Sequence, residues 1–276
     1  MTTTHFGTAY APTREGAADR SGPARWVELC GLTERGPALA VHEEAVVIGG
    51  AALLAPGARA EGWLPLGGEG LPLAVVDGMG GQAGGSAAAG VVAHIVATET
   101  ARVDDAVWSP WLEDVANRVA AAGEAWATPQ MGAALAVMRL WADRLELASV
   151  GDCRIYWAHG GEVEQLTVDD RVPGSGPAVT QYLGCAGHRL EPHLRAEGLG
   201  QGEVRFALCS DGLSDALPPG ELAGALAAGG RAWDICDRLA AAVWACGAYD
   251  NFSLVVASVG ALGAPAPLDR PGLRLN

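Results

Sequence analysis

The sequence predicts an α+β fold in which antiparallel sheets are covered by helices. Three observations carry that expectation. Four short strand-like runs, residues 134–140, 145–150, 154–158 and 163–166, follow one another through connections of a few residues. Those connections are too short for the crossovers that parallel strands need. Helical stretches stand in pairs on either side of the runs, at 86–100 and 111–126 before them and at 221–228 and 232–246 after them. Strands and helices are thus mixed without strict alternation, which is the α+β pattern.

Taken in order, residues 1–25 are polar and turn-rich, and Met1 to Glu15 lacks the basic-then-apolar order of a signal peptide. Residues 45–54 suit either a strand pair or one buried strand. Leu73 to Val76 is an apolar run ending at Asp77 and reads as a buried strand. A glycine cluster follows, then the helix at 86–100 with Ser86 as its N-cap. The helix at 111–126 is amphipathic, and Gly160-Gly161 turns the last pair of the strand run. Residues 169–202 read as loop, 204–209 as a strand, and 253–259 as the alternating strand that closes the sheet. Residues 1–259 form one domain on this reading, and 260–276, with three prolines, a disordered tail.

Composition removes several functions. The 276 residues carry 18 Lys+Arg against 32 Asp+Glu, a net charge of −14. That is the wrong sign for binding nucleic acid or an anionic membrane. All basic residues are Arg, so the Lys that P-loop NTPases, protein kinases and pyridoxal enzymes require is missing. The six cysteines form no C-x-x-C pair, which gives no zinc or dithiol signal. The longest apolar stretch, 45–58, contains glycines and a proline and is too short to span a bilayer. A cytoplasmic chain follows.

Aspartates end the strands. Asp77-Gly78 follows 73–76, Gly151-Asp152 follows 147–150, Asp211-Gly212 follows 206–210, and Asp250-Asn251 precedes 253–259. Carboxylates at neighbouring strand ends can converge on one rim of a sheet, and an oxygen-only cluster suits Mg²⁺ or Mn²⁺. Each dipeptide is also an ordinary turn signal, so the surrounding residues decide.

Asp77-Gly78-Met79-Gly80-Gly81, Val150-Gly151-Asp152-Cys153-Arg154, Leu208-Cys209-Ser210-Asp211-Gly212-Leu213 and Asp250-Asn251-Phe252-Ser253-Leu254-Val255-Val256 resemble, in order, four signature blocks of the metal-dependent protein phosphatase family of the 2C type. Met131-Gly132-Ala133-Ala134, and Leu166-Thr167-Val168-Asp169 with Thr180-Gln181-Tyr182-Leu183-Gly184, resemble two supporting blocks. The likeness runs from about Arg14 to Val259. It implies a β-sandwich of two antiparallel sheets flanked by helices on both sides, with two Mn²⁺ or Mg²⁺ ions at one end. It also implies hydrolysis of phosphoserine and phosphothreonine in protein substrates, by a monomer. Asp77 would bridge both ions, Gly78 would offer its carbonyl, and Asp211 and Asp250 would complete the second ion's ligands. Asp152 would hold a third, weaker ion beside Asp211. Two divalent ions about 3.5–4 Å apart activate a shared water and neutralise the phosphoryl group, which needs no protein nucleophile. The sequence indeed has no G-x-S-x-G elbow.

The family carries an N-terminal arginine that contacts phosphate, with a Glu-Asp pair four and five residues later. Arg14 and Asp19 stand at that spacing, with Ala18 at the glutamate's place. The alternative function rests on this departure: a catalytically weakened member that binds or regulates phosphoproteins. Gly78-Met79-Gly80-Gly81-Gln82-Ala83 also fits a loose dinucleotide fingerprint. Asp77 would repel a pyrophosphate there, and the antiparallel run opposes a Rossmann sheet.

Overall fold

Strands with apolar residues on both faces must be covered on both faces, and most strands of this chain are of that kind. A computed structural model describes residues 25–80, 83–100, 108–172, 178–184, 189–218, 220–260 and 272–276. Its first half holds β1 (Arg25–Glu34), β2 (Glu44–Ile48), β3 (Ala51–Leu53), β4 (Ala58–Leu66), β5 (Leu71–Met79), α1 (Ala83–Glu99), α2 (Trp108–Ala125) and β6 (Gly132–Leu140). Then come β7 (Arg144–Val150), β8 (Arg154–His159), β9 (Glu162–Gln165), β10 (His193–Gly198), β11 (Val204–Cys209), α3 (Asp211–Ser214), α4 (Glu221–Ala228), α5 (Ala232–Ala245), β12 (Phe252–Val259) and β13 (Arg274–Leu275).

One sheet runs β13-β4-β1-β12-β11-β8-β9 and the other β10-β7-β6-β5-β2-β3, with every pairing antiparallel. The inner faces meet in a core that includes Leu29, Val46, Leu73, Met138, Phe206 and Val255. Helices α1 and α2 cover the outside of the six-stranded sheet through Val92, Val96, Leu112 and Val115 on Val76 and Val137. Helices α4 and α5 cover the seven-stranded sheet through Leu226, Ile235 and Leu239 on Cys209 and Val256. The expected sandwich with helices on both sides is therefore the fold.

Several boundaries differ from the sequence reading. The run of short strands is not one sheet: β7 pairs with β6, whereas β8 pairs with β11 in the other sheet. The chain changes sheets at Gly151-Asp152, where Gly151 takes φ +94°. Residues 45–54 resolve into the β2–β3 hairpin. Ser86 is inside α1 rather than its N-cap, because the helix begins at Ala83 and Gly85 sits against Glu43 and Gly78 at the β2 and β5 ends. Strand β10 lies within the segment read as loop; it is a half-exposed edge strand on β7, with too few apolar residues to signal itself. Arg274 and Leu275, placed by sequence in a disordered tail, pair with Glu61 and Ala60 on β4.

Arg25 locks the end of the sandwich away from the aspartates. It is 1% exposed. Its Nε donates to the Gly260 carbonyl at 2.8 Å and its Nη1 to those of Ala142 and Gly200 at 3.1 and 3.2 Å, while Nη2 donates to Gly202. One cation thus ties β1 to the β6–β7 turn, the β10–β11 loop and the end of β12. Hydrogen bonds to a charged group contribute about 1.5–3 kcal/mol each, but exposed carbonyls such as Gly200 and Gly202 regain water when released. Arg25→Ala should therefore lower stability by about 2–4 kcal/mol, seen as a lower urea midpoint at unchanged slope. A loss under about 0.5 kcal/mol, the range of an ordinary surface change, would show that the lock is dispensable.

Candidate functional site

The acidic residues gather where the two sheets meet. Glu44 and Asp77 stand directly opposite each other in the β2–β5 ladder, so both side chains leave the sheet on one face. Asp211, the first residue of α3, comes from the facing sheet. One carboxylate oxygen from each of Glu44, Asp77 and Asp211 lies within 4.8 Å of the other two.

Two glycines make this convergence possible. A Cβ on Gly78 would enter the Gly85 carbonyl oxygen and come within 2.6 Å of that of Glu43. The Gly78 N–H donates to the same Glu43 carbonyl at 2.8 Å. A Cβ on Gly212 would collide with the Asn251 carbonyl and lie 3.2 Å from Cβ of Asp250. Only a bare backbone lets the strand ends approach this closely.

Behind the acids, a buried chain of hydroxyls orients Glu44. Ser210 Oγ donates to Glu44 Oε2 at 3.0 Å and accepts the Ser253 N–H at 2.9 Å. Ser253 Oγ meets Thr33 Oγ1 at 2.7 Å, which meets His42 Nε2 at 2.9 Å. On the outer side, Asp170 accepts the Gly151 N–H at 2.8 Å and bonds His193 Nε2 at 2.9 Å, fixing the turn that carries Asp152. His193 is thereby a support of that turn.

Of the residues expected from sequence, Asp77 and Asp211 meet in the triad, and Gly78 lies beside them. Asp250 is exposed and outside the triad, with its Oδ1 accepting the Asn251 N–H at 2.7 Å. Asp152 is buried and bound to Arg171 at 2.9 Å. Arg14 and Asp19 lie outside the described residues. Sequence reasoning missed Glu43 and Glu44. Their signal was present: two adjacent acids opening an otherwise apolar strand at 45–48.

The donor set fits a divalent cation. It is built of oxygens only, as hard ions prefer. Glu43 Oε1 is buried and without a hydrogen-bond partner among the described residues, a deficit that a cation or its water would relieve. The electrostatics agree. Burial first, then the charge of Glu44, Asp211 and Asp152, holds the Asp77 carboxyl well above its usual range. Burial likewise raises Glu44, against the hydrogen bonds from Ser253 and Ser210. Burial and the neighbouring Asp152 and Asp250 push Asp211 up to about 6. Each acid thus resists ionisation beside the others, and added positive charge would relieve that cost.

Comparisons with known proteins point the same way. The family model described as Protein phosphatase 2C matches residues 63–243. The serine/threonine protein phosphatase PstP of two Mycobacterium tuberculosis strains is 31% identical over 214 residues, 68% of this chain. The chain spans 40% of the length of those curated relatives. Among solved structures, the catalytic domain of PstP in complex with two manganese ions matches 86% of this chain and 99% of its own, with a TM-score of 0.67 at 26% identity. PppA, described as a key regulatory component of the T6SS in Pseudomonas aeruginosa, covers 86% of this chain and 99% of its own. Its TM-score is 0.69 at 22% identity, a likeness of fold alone.

The raised acids have a consequence for stability. A carboxyl whose folded pKa exceeds its unfolded value of about 4 leaves the native state holding more protons than the unfolded one. Stability without divalent ions should therefore fall as pH rises from about 4 through 6, the value for Asp211, and further because Glu44 and Asp77 are also raised. Thermal unfolding in EDTA between pH 4.5 and 7.5 measures this. Asp211→Asn should flatten the slope; an unchanged slope would place the destabilising charge elsewhere.

Proposed function

Because the chain belongs to the protein phosphatase 2C family, we propose that it hydrolyses phosphoserine and phosphothreonine in protein substrates, using two Mn²⁺ or Mg²⁺ ions held by the acidic triad. The observation that carries this reading is the convergence of Glu44, Asp77 and Asp211 within 4.8 Å. When bound, such ions supply positive charge against the phosphoryl group and acidify a water. Glu44, Asp77 and Asp211 would hold the ions, with the exposed Asp250 beside them. Ser210 holds Glu44 in one rotamer through its 3.0 Å bond, and the Gly78 carbonyl is free of a side chain that would screen it. The thiols near the site are unsuited to attack: burial first, then the surrounding carboxylates, keeps Cys153 protonated. Water acidified by such ions would be the nucleophile.

In this reading Glu43-Glu44 is the acidic pair that the family places four and five residues after its arginine, in place of Ala18-Asp19. The arginine's position is then Leu39. The departure moves from an outer acid of the metal site to the phosphate contact, and Ala18 ceases to argue for a weakened enzyme. Loss of a phosphate contact should raise KM more than it lowers kcat. We place the reaction in the cytoplasm, in a monomer. The described cysteines are all free thiols, as suits a reducing compartment. No described helix is long and apolar enough to cross a membrane.

Purified protein should hydrolyse p-nitrophenyl phosphate and phosphothreonine peptides with Mn²⁺ or Mg²⁺ and stop with EDTA. Asp77→Asn should abolish turnover with the fold intact by circular dichroism. No turnover at millimolar Mn²⁺ would instead favour a phosphoprotein-binding role. A second comparison tests the register. Glu44→Gln should cut kcat/KM by at least about 10- to 100-fold, Asp19→Asn should leave it unchanged, and Leu39→Arg should lower KM for a phosphopeptide. If Asp19→Asn is the damaging change, the N-terminal assignment returns to Arg14 and Asp19.

A further inference from the structure

The family's third ion has a seat prepared by Asp152 and Asp211, and in this chain that seat is taken. Arg171 lies between the two carboxylates. Its Nε donates to Asp152 Oδ2 at 2.9 Å, its Nη2 to Asp211 Oδ2 at 3.0 Å, and its Nη1 to Asp215 Oδ2 at 2.7 Å. The three donors are spread over three carboxylates, so the planar fork is held on every side. The Arg171 side chain is only 20% exposed. The isolated bridge between Arg171 and Val179 fixes its backbone, and Asp170 beside it anchors the Gly151 turn. A divalent ion ligated by both Asp152 and Asp211 would have to displace this guanidinium or share its place, two cations within hydrogen-bonding distance of the same oxygens. The guanidinium does not deprotonate, so neither pH nor a chelator empties the seat.

We propose that Arg171 is a resident cation of the acidic cluster, standing where a third divalent ion would bind, so that the chain takes its metal on the Glu44, Asp77 and Asp211 side alone. This rests on the two-metal reading above. Arg171 acts through Asp211: it neutralises one oxygen of that carboxylate and holds its plane, and is a positioning residue. Its partners Asp152 and Asp215 then anchor the arginine, with no metal role of their own.

The test counts ions. Full-length wild type, Arg171→Ala and Arg171→Met are dialysed to equilibrium against saturating Mn²⁺ at pH 7.5, and bound manganese per chain is measured by mass spectrometry. The methionine variant keeps the bulk of the side chain and covers a failure of the alanine variant to fold. Both variants should bind one ion more than wild type. Adding Asp152→Asn to Arg171→Ala should remove the extra ion and return the wild-type count. Equal counts in wild type and both arginine variants would overturn the proposal while leaving the two-metal reading intact, as would three ions on wild type. No bound manganese on any of them would overturn both.

Discussion

Mutual repulsion among buried and half-buried carboxylates is the constraint around which this molecule is arranged. One carboxylate oxygen each from Glu44, Asp77 and Asp211 is brought to within 4.8 Å of the other two, with Asp152 and Asp250 close enough to act on their charge. A fold gathers like charges at such a distance only if other interactions force the approach. Here the force comes from the two sheets, whose shared apolar core and helical covers fix the strand ends regardless of what those ends carry. The stability of the sandwich is spent on holding a charge arrangement that would disperse in a flexible chain.

Each local device near the site manages that repulsion. Gly78 and Gly212 remove the steric limit on how closely the strand ends approach. Ser210 donates to Glu44 and accepts the Ser253 N–H, while the Ser253 hydroxyl meets Thr33, which meets His42. Arg171 neutralises the outer pair, while Arg154 is engaged by Asp169 at 2.6 Å. Of the inner triad, Asp211 shares Arg171 through one oxygen, while no ion pair to Glu44 or Asp77 is found among the described residues. That asymmetry, arginine on the Asp152 side of Asp211 and only carboxylates on the Glu44 and Asp77 side, is the physical basis for assigning divalent ions to the inner position.

The aspartates at strand ends were legible because each sits in a distinctive local run, and because short apolar runs, 73–76 and 206–209, stand before Asp77 and Asp211. Glu44 was not legible in the same way. Its importance comes from standing opposite Asp77 in a ladder, and register between β2 and β5 is a tertiary fact. The spacing of Arg14 and Asp19 drew attention upstream, since an arginine and an acid at a fixed offset recur easily in a polar leader. Strands β1 and β4 escaped notice for a related reason: Glu28 and Gly31 interrupt one, Glu61 and Gly62 the other, and both are held by pairing with each other. Arg171 looked like one arginine among eighteen, and only the convergence of three distant aspartates on it marks it out.

The central claim is that the inner triad binds divalent ions and the outer pair does not. Crystals grown with Mn²⁺ and measured near the manganese absorption edge would locate each ion by its anomalous scattering. The account predicts two peaks, both within coordination distance of Asp77, and none between Asp152 and Asp211, where the Arg171 guanidinium stays in place. A peak between Asp152 and Asp211 with Arg171 displaced, or no peak beside Asp77, would contradict it.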